Sequence, residues 1–418
     1  MISCGKTAVC PKTPELLQPI MQSTKPLPQP AVNILWLTAA AFFGFSVFGF
    51  TDNLKGPTLP AILDDLAINY STGGTILLGS YVGFVVASFF TGLLAEARGL
   101  KSVLIFAAVA LLIGVGGFSV ASSAVLLMVF MLFQGFGMGA LELGCNGLIV
   151  QLHSDKKGRY LNLMAVTHGL GATIAPLYAG SLLTNEQSWR MVFRWDIVLI
   201  GLLFIFFVLL RFPPRPSAAK KRLTMRELGN IAFSPTLLLF YFAIISYVAV
   251  EISIAAWLVE YLQRIQGLDV GQSTLALSAF FGLVIVGRLT GSFVVDRIGY
   301  LRSVVITMAC ATLCIGIGLF VAPAFWLLPF SGLFLSIVFP TLTAAVSERY
   351  TTNINAILGL LFTFAGLGGI LGPWVVGLVA DQVGIQPGLS LTLLFGMMTL
   401  LGALQLQRTV SAKDSFLN

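Results

Sequence analysis

Long apolar stretches separated by short polar segments occupy almost the whole chain. A helix that rises 1.5 Å per residue needs about 20 apolar residues to cross a hydrocarbon layer of about 30 Å. Twelve stretches meet this requirement, and they start near residues 33, 72, 102, 124, 161, 195, 235, 272, 303, 326, 354 and 389. The pattern therefore predicts an all-α membrane protein with twelve transmembrane helices.

The composition agrees with a membrane protein and excludes a soluble fold. Of the 418 residues, 57% are hydrophobic and only 10% are charged, and the mean hydropathy is +0.93. Soluble domains carry about 25% charged residues. Cys310 and Cys314 lie one helical turn apart in an apolar stretch, with no histidine or carboxylate beside them. We therefore expect neither a metal nor a cofactor.

The net charge of +7 could indicate a nucleic-acid partner, but the positions of the basic residues favour another explanation. If both termini are cytoplasmic, 19 of the 24 lysines and arginines lie on the cytoplasmic side of the predicted spans. This bias is typical of an integral protein of the cell (inner) membrane. We therefore expect cytoplasmic termini, a surrounding lipid bilayer and no nucleic acid. Arg288 falls inside a span, and we expect its side chain to snorkel to the cytoplasmic surface.

A basic segment divides the twelve stretches into six and six. Six lysines and arginines and three prolines lie between positions 211 and 228. The predicted units are a disordered cytoplasmic tail (1–32), an N-terminal six-helix bundle (33–212), a basic cytoplasmic linker (213–232), a C-terminal six-helix bundle (233–407) and a cytoplasmic tail (408–418).

Similar residues return on both sides of this segment at a nearly constant separation. Glu96 and Gly99 match Asp296 and Gly299, which lie 200 positions later. A second set, 197 positions apart, pairs Gly171, Pro176 and Gly180 with Gly368, Pro373 and Gly377. Glycine and proline are frequent in membrane helices, but the shared spacing favours an internal duplication, as is typical of membrane transport proteins.

The loops that carry the first matched set resemble the loop motif of the major facilitator superfamily. The motif lies in the runs 91–101 (TGLLAEARGLK) and 287–302 (GRLTGSFVVDRIGYLR). The resemblance covers residues 33–407 and implies two pseudo-symmetric six-helix bundles. A carboxylate, a glycine and basic residues could close a charged latch on the cytoplasmic face and stabilise an outward-open state; a solvated turn is the alternative. The predicted latch consists of Glu96, Arg98, Gly99, Asp296, Arg297 and Gly299.

The fourth stretch contains a carboxylate deep in its apolar sequence. A charge there costs roughly 2.5 to 3.5 kcal/mol on insertion scales, so such residues usually serve transport. Gln134, Glu142 and Asn146 are separated by multiples of four residues, which predicts one polar face of a helix. Because desolvation favours the neutral form of a carboxylate, we predict that Glu142 is a protonation site.

Polar residues also interrupt the first and seventh stretches. Asp52, Asn53 and Lys55 precede two prolines, which predicts a disturbed helix. Asn53 is the better predicted ligand because an amide both donates to and accepts from sugar hydroxyls, whereas Asp52 and Lys55 could form a local ion pair. Glu251 is a second buried carboxylate. Trp257 offers a flat face to a sugar ring or, alternatively, anchors the helix at the membrane interface.

These segments together resemble the fucose, galactose and glucose to proton symporters and their sodium-dependent glucose transporter relatives. The resemblance lies in the run 56–60 (GPTLP), in Glu142 with Asn146, and in the run 247–251 (YVAVE) followed by Trp257. It implies that Glu142 couples protons and that Asn146 binds a hydroxyl group. Relatives often have a histidine three residues after an asparagine of span 5; here His168 follows Asn162 by six and shares a face with position 165. His168 is a candidate proton relay or, alternatively, a packed neutral residue.

These features predict a secondary active transporter that moves a small polar solute, with a sugar as first choice, by alternating access coupled to protons. The predicted substrate-binding residues are Asn53, Gln134, Asn146, Asn162, Glu251 and Trp257. The predicted proton-coupling residues are Glu142, His168 and Asp52. We expect a monomer, with sodium as the alternative ion. The other candidate functions are proton-coupled efflux of amphipathic compounds and a non-transporting sensor or receptor. No catalytic constellation stands out, so an enzyme is not expected.

Overall fold

The computed structural model describes residues 33–213, 234–350 and 354–417. The side chains of Phe89, Ser292, Val294, Asp296, Asn355, Ala356 and residues 410–417 lie outside this description. The predicted tail 1–32 and residues 214–232 of the predicted linker also lie outside the described residues, so both stay predictions. The predicted second tail from 408 continues the last helix as far as Leu417.

The described residues form fourteen α-helices. The first half of the chain, residues 33–213, contains α1 (Ile34–Asp52), α2 (Lys55–Asp65), α3 (Tyr70–Arg98), α4 (Leu100–Phe118), α5 (Ala124–Leu152), α6 (Lys157–Thr184) and α7 (Trp189–Leu209). The second half, residues 234–350 and 354–417, contains α8 (Pro235–Arg264), α9 (Val270–Ile298), α10 (Tyr300–Phe320), α11 (Leu327–Leu335), α12 (Val338–Arg349), α13 (Ile354–Val383) and α14 (Ile385–Leu417).

Two membrane spans each consist of two helices because a proline interrupts them. Span 1 contains α1 and α2, and span 10 contains α11 and α12. Proline lacks an N–H group, and its ring clashes with the carbonyl four residues earlier. For Pro57 that carbonyl belongs to Asn53, and for Pro340 it belongs to Ser336. The helices are accordingly interrupted at 53–54 and at 336–337, and we call the first of these the span 1 interruption.

The fourteen helices make twelve spans, as the hydrophobic pattern predicts. Eleven helical segments of the described chain are long and apolar enough to cross a membrane. The twelfth span is α6, whose 28 residues are long enough but include polar side chains such as Asn162 and His168. The predicted all-α membrane fold is confirmed.

The two matched loops form the same turn. Gly99 lies between α3 and α4 with φ +83°, and Gly299 lies between α9 and α10 with φ +90°. This region of φ favours glycine because other residues are hindered there by their Cβ atom. We call the side of the molecule that carries Gly99 and Gly299 the loop-motif face, and the other side the opposite face.

The two halves of the chain meet chiefly through three helix pairs: α2 with α8, α3 with α13, and α6 with α9. Gly180 of α6 packs on Thr274 of α9, and Gly377 of α13 packs on Gly74 of α3. Gly377 follows Gly180 by 197 positions, and Thr274 follows Gly74 by 200. The two contacts are therefore equivalent in the internal repeat, and in both a glycine lets two helices approach closely.

Polar contacts join the halves near the opposite face. Arg264 at the end of α8 forms an ion pair with Asp64 in α2. The hydroxyl of Tyr70 in α3 donates a hydrogen bond to Glu260 Oε1 in α8, at 3.0 Å. The structure is therefore closed at the opposite face.

Candidate functional site

The span 1 interruption presents a lysine that is almost completely enclosed. Lys55 is 6% exposed and forms an ion pair with Asp52, three residues earlier. Its Nζ atom also donates to Ser80 Oγ at 3.1 Å and lies 4.9 Å from the centre of the Tyr81 ring. The local ion pair considered from the sequence is present, but it is buried between helices instead of lying at a water-accessible rim. Lys55 is therefore already satisfied by its own half of the chain.

A narrow cavity adjoins the interruption and has walls from both halves. Its volume is about 20 Å³, which admits little more than one water molecule. It is lined by Asp52, Asn53, Lys55, Gly56, Leu77, Tyr81, Ile252, Ala255, Ala256 and Pro373. Asn53 keeps its amide engaged by donating to the Gly49 carbonyl at 2.8 Å, while its side-chain oxygen is available as an acceptor. No sugar fits at this level in the present conformation.

The polar face predicted on span 4 is divided between two environments. Glu142 and Asn146, one turn apart in α5, are partly exposed, and Glu142 lies within electrostatic range of Asp52. Gln134 is fully buried and donates from Nε2 to the Thr51 carbonyl at 3.4 Å. Gln134 is therefore bound to the protein itself in this conformation, and Glu142 with Asn146 remains open to a ligand.

Arg288 belongs to the interior, and the prediction that it snorkels to the surface is wrong. It lies ten residues before the end of α9, which is about 15 Å along the axis and beyond the reach of the side chain. Its charge acts on Glu251 and His168, which lie on α8 and α6. Its Nε atom is buried without a hydrogen-bond partner among the described residues.

His168 combines a packed ring with a position between the halves. Its ring lies 4.8 Å from Phe48 and 6.3 Å from Phe45, in edge-to-face geometry. It is also within electrostatic range of Asp52 and Arg288. The packing and the proximity to charges are thus both present, and the proton-relay role stays a prediction.

The seventh span supplies one accessible carboxylate and one inaccessible indole. Glu251 is partly exposed and accepts a hydrogen bond from the buried Tyr247 hydroxyl at 2.7 Å. Trp257 is 0% exposed, and its Nε1 donates to the Pro373 carbonyl at 3.0 Å. Because Tyr70 also packs edge-on against the indole, Trp257 has no free face for a sugar in this conformation.

The remaining predicted residues lie toward the loop-motif face. Asn162 is exposed in α6, about 9 Å along the axis from His168. Glu96, Arg98 and Arg297 are exposed near the ends of α3 and α9. The Asp296 side chain lies outside the described residues, so the closed form of the latch stays a prediction.

Two buried carboxylates, Asp196 and Glu260, are absent from the sequence-based predictions. Asp196 of α7 is 0% exposed, and the Thr51 hydroxyl lies 2.8 Å from its Oδ2 atom and 3.1 Å from Oδ1. We placed the start of span 6 near 195, which puts Asp196 at the very end of the predicted span. The helix in fact begins at Trp189, so the carboxylate lies two turns inside it.

The central side chains nearly balance one another in charge. Asp52 is paired with Lys55, and Glu251 is within range of Arg288. Glu142 forms no ion pair among the described residues, so the group carries one uncompensated negative charge when all its carboxylates are ionised. One proton on Glu142 would make the group neutral. The described residues contain no cluster of three or more metal-binding side chains.

Comparisons with known proteins agree with this architecture. The family model described as Major Facilitator Superfamily matches residues 41–373 and, in a second match, 242–415. The glucose/galactose transporter of Brucella abortus is 24% identical over 363 residues, covering 82% of this chain and 87% of that protein.

Solved structures of low identity share the fold. A D-xylose–proton symporter superposes with a TM-score of 0.75 at 14% identity, covering 89% of this chain and 97% of its own. The fucose:proton symporter FucP of E. coli superposes with a TM-score of 0.62 at 19% identity, covering 89% of this chain and 98% of its own.

Proposed function

The chain belongs to the Major Facilitator Superfamily, and on this basis we propose that it moves a small polyhydroxylated solute, a sugar, across the membrane together with a proton. It is a transporter and not an enzyme. The similarity to a glucose/galactose transporter supports a sugar as the solute. The observation that carries the proton coupling is the position of Glu142, a partly exposed carboxylate inside span 4 with no counter-ion among the described residues.

Protonation of Glu142 would couple the proton to the movement of the halves. An ionised carboxylate without a counter-ion resists enclosure, because removing it from water costs several kcal/mol. The protonated acid lacks that penalty, so the halves can close over a neutral site. Release of the proton on the other side restores the charge and holds the site open to water. Solute and proton are thereby carried in the same closure.

The solute would be held by side chains from both halves. Asn146 and Glu142 contribute from α5, and Glu251 with Arg288 contributes from α8 and α9. Arg288 offers free N–H donors to sugar oxygens, and Glu251 accepts from hydroxyls. Asn53 would join these ligands when the narrow cavity widens. Gln134 and Trp257 would act only if the other conformation releases them from their present partners.

The two faces would open in turn. In the predicted orientation the opposite face is extracellular, so the present structure is closed to the outside and both termini are cytoplasmic. The ion pair of Arg264 with Asp64 and the bond from Tyr70 to Glu260 would break when that face opens. The predicted latch around Gly99 and Gly299 would then close the loop-motif face, as alternating access requires.

Uptake of radiolabelled glucose and galactose into proteoliposomes tests the proposal. We expect an inward proton gradient to drive accumulation by the wild type, and Glu142→Gln to abolish this effect. Glu186→Gln, in an exposed loop, is the matched control. Sugar uptake that ignores the gradient in the wild type contradicts proton symport, as does gradient-driven uptake that survives Glu142→Gln. Dependence on sodium at constant pH would identify sodium as the coupling ion, and movement of amphipathic compounds without sugar would identify an exporter.

A further inference from the structure

Asp196 is fully buried among the helices of the first half of the chain. Four hydrogen-bonding groups of three residues meet there: the Asp196 carboxyl of α7, the Thr51 hydroxyl and carbonyl of α1, and the Gln134 amide of α5. All three residues are 0% exposed. The Oε1 atom of Gln134 has no hydrogen-bond partner among the described residues. We call these three residues the Asp196 triad.

The geometry of the triad fits a protonated carboxyl group. Thr51 Oγ1 is within hydrogen-bond distance of both oxygens of Asp196, at 2.8 and 3.1 Å. A hydroxyl has one hydrogen to donate but two lone pairs with which to accept. With a proton on Asp196, Thr51 can donate to one oxygen and accept from the other, so both contacts become hydrogen bonds. Without that proton, the single hydroxyl hydrogen has to serve both oxygens.

No positive charge compensates Asp196 within the described residues. Of the groups on surrounding helices, Tyr178 of α6 is within electrostatic range, and its hydroxyl donates to the Val192 carbonyl. Asp52, next to Thr51, is acidic and paired with Lys55.

The basic residues of the neighbouring helices have other partners or are exposed. Arg190 of α7 binds Asp65 of α2, and Arg194 of α7 is exposed. Lys101 of α4 donates to the carbonyls of Val208 and Leu210.

The triad is directly connected to the span 1 interruption. Thr51 immediately precedes Asp52 and Asn53. The other two members of the triad bind it: Asp196 binds its hydroxyl group, and Gln134 donates to its carbonyl group. The last turn of α1 is thereby fixed to α5 and α7. Its orientation sets where Asp52 and Asn53 point, and Asp52 in turn acts on Glu142.

We propose that Asp196 is a positioning residue of the transport site, which holds the end of α1 in place through Thr51 and does so only while it carries a proton. The proton stays on Asp196 through the cycle, unlike the one that Glu142 exchanges. This inference rests on the proposed function. Ionisation of Asp196 places an uncompensated charge among these helices, loosens the end of α1 and weakens the site.

The test compares Asp196→Asn with the wild type, because asparagine has the same shape and cannot ionise. Its amide donates to Thr51 Oγ1 and its carbonyl accepts from the hydroxyl, as the protonated acid does. Sugar uptake at neutral pH is expected to stay within about twofold of the wild type. Asp196→Leu fills a similar volume without hydrogen bonds and is expected to raise the KM for sugar about tenfold.

Thermal unfolding in detergent gives a readout that does not depend on transport. An aspartate in the unfolded chain ionises at about pH 4, whereas Asp196 keeps its proton in the fold. Its stabilising contribution therefore shrinks as the pH rises above about 4, until the folded group also ionises, and the wild-type Tm is expected to fall over that range. Asp196→Asn should remove part of that fall, and Asp196→Leu should lower the Tm at every pH. A fall of the Tm with rising pH that is unchanged in Asp196→Asn overturns the inference, as does a loss of sugar uptake of tenfold or more in Asp196→Asn at neutral pH. Failure of the wild type to carry any sugar would instead reject the proposed function, and the Tm comparison would still decide the role of Asp196.

Discussion

Tyr70 in the first half of the chain donates a hydrogen bond to Glu260 in the second half, at 3.0 Å. Arg264 Nε donates to the same carboxylate oxygen at 3.1 Å and also pairs with Asp64 of the first half. Glu260 is 0% exposed, and its other oxygen has no hydrogen-bond partner among the described residues. The buried carboxylate of Glu260 thus depends on the Tyr70 hydroxyl from the other half. Together with Arg264 and Asp64, these two residues close the opposite face.

Removing the Tyr70 hydroxyl should shift the protein toward the state that is open at the opposite face. In Tyr70→Phe the ring still packs against Trp257 at 5.8 Å, but Glu260 loses a hydrogen bond worth about 1.5 to 3 kcal/mol. The measurement uses a chain whose own cysteines are replaced and that carries a new cysteine at Ala256, in the narrow cavity. We expect this cysteine to be alkylated about tenfold faster when the chain also carries Tyr70→Phe than when it keeps Tyr70. Tyr300→Phe, near the loop-motif face, is the control. Equal rates in all three chains would show that the hydroxyl does not hold this face closed.

Replacing Arg288 should weaken solute binding without unfolding the protein. Its guanidinium forms no hydrogen bond or ion pair with the described residues, so little structure depends on it, whereas a sugar would lose a charged donor. For Arg288→Gln we expect the KM for uptake to rise about tenfold, which corresponds to about 1.4 kcal/mol. Arg194→Gln, on the exposed face of α7, should leave the KM unchanged. A wild-type KM in Arg288→Gln would remove Arg288 from the site.

The buried pair of Lys55 and Asp52 should behave non-additively. Lys55→Met leaves Asp52 unpaired between helices, and losing one partner of a buried pair costs about 3 to 5 kcal/mol. The double variant Asp52→Asn with Lys55→Met leaves no charge and should recover much of the Tm lost in Lys55→Met. Thermal unfolding of the two single variants, the double variant and the wild type measures this coupling. Strictly additive losses would mean that the two charges do not stabilise each other.

Alanine substitutions at the two equivalent glycine contacts should differ in whether a second substitution can compensate for them. A methyl group on Gly377 would lie 2.7 Å from the Tyr70 carbonyl, so Gly377→Ala requires α3 and α13 to move apart. A methyl group on Gly180 would meet the Thr274 side chain, which can be shortened. We expect each alanine to cost about 1 to 3 kcal/mol through overpacking. Thr274→Ala removes the Oγ1 atom, which the methyl group would meet first, but keeps the Cβ atom at 2.9 Å, so it should rescue Gly180→Ala in part.

Gly359→Ala is the control for both glycine contacts, because a methyl group there meets nothing within 4 Å. Tm and initial uptake rates are the measurements. Tolerance of alanine at Gly377 would mean that close approach of α3 and α13 is not required for the fold.

Hydrophobic spacing was enough to predict the fold because bilayer thickness fixes the length of each span. The six spans of the first half begin at 34, 70, 100, 124, 157 and 189, and all starts but that of α7 lie within four residues of the predicted ones. In α7 the first turns contain Arg190 and Arg194, so an apolar window starts too late. That shift of six residues concealed Asp196, whose burial depends on where its helix begins.

Which face of a helix a residue occupies was harder to predict. A step of four residues turns a helix by about 40° more than a full circle, so eight residues from Gln134 to Glu142 add about 80°. That rotation is enough to place Gln134 against α1 and Glu142 beside the space between the halves. Arg288 and Trp257 were unpredictable for a related reason, since their environments come from helices distant in the sequence: α6 and α8 for Arg288, and α3 and α13 for Trp257.

The span 1 interruption separates two helices that pack mainly on different halves of the chain. Its first part, α1, is fastened to α5, α6 and α7, whereas α2 rests chiefly on α8, with the Ala255 carbonyl against Gly56. Asp65 of α2 also pairs with Arg190 of α7, so α2 is held by both halves. In the proposed alternation, rotation of the halves would act on the joint at 53–54, where the helical hydrogen bonding is already broken. That joint carries Asp52 and Asn53, so the grip on the cargo would change in the same movement that turns it toward the other compartment.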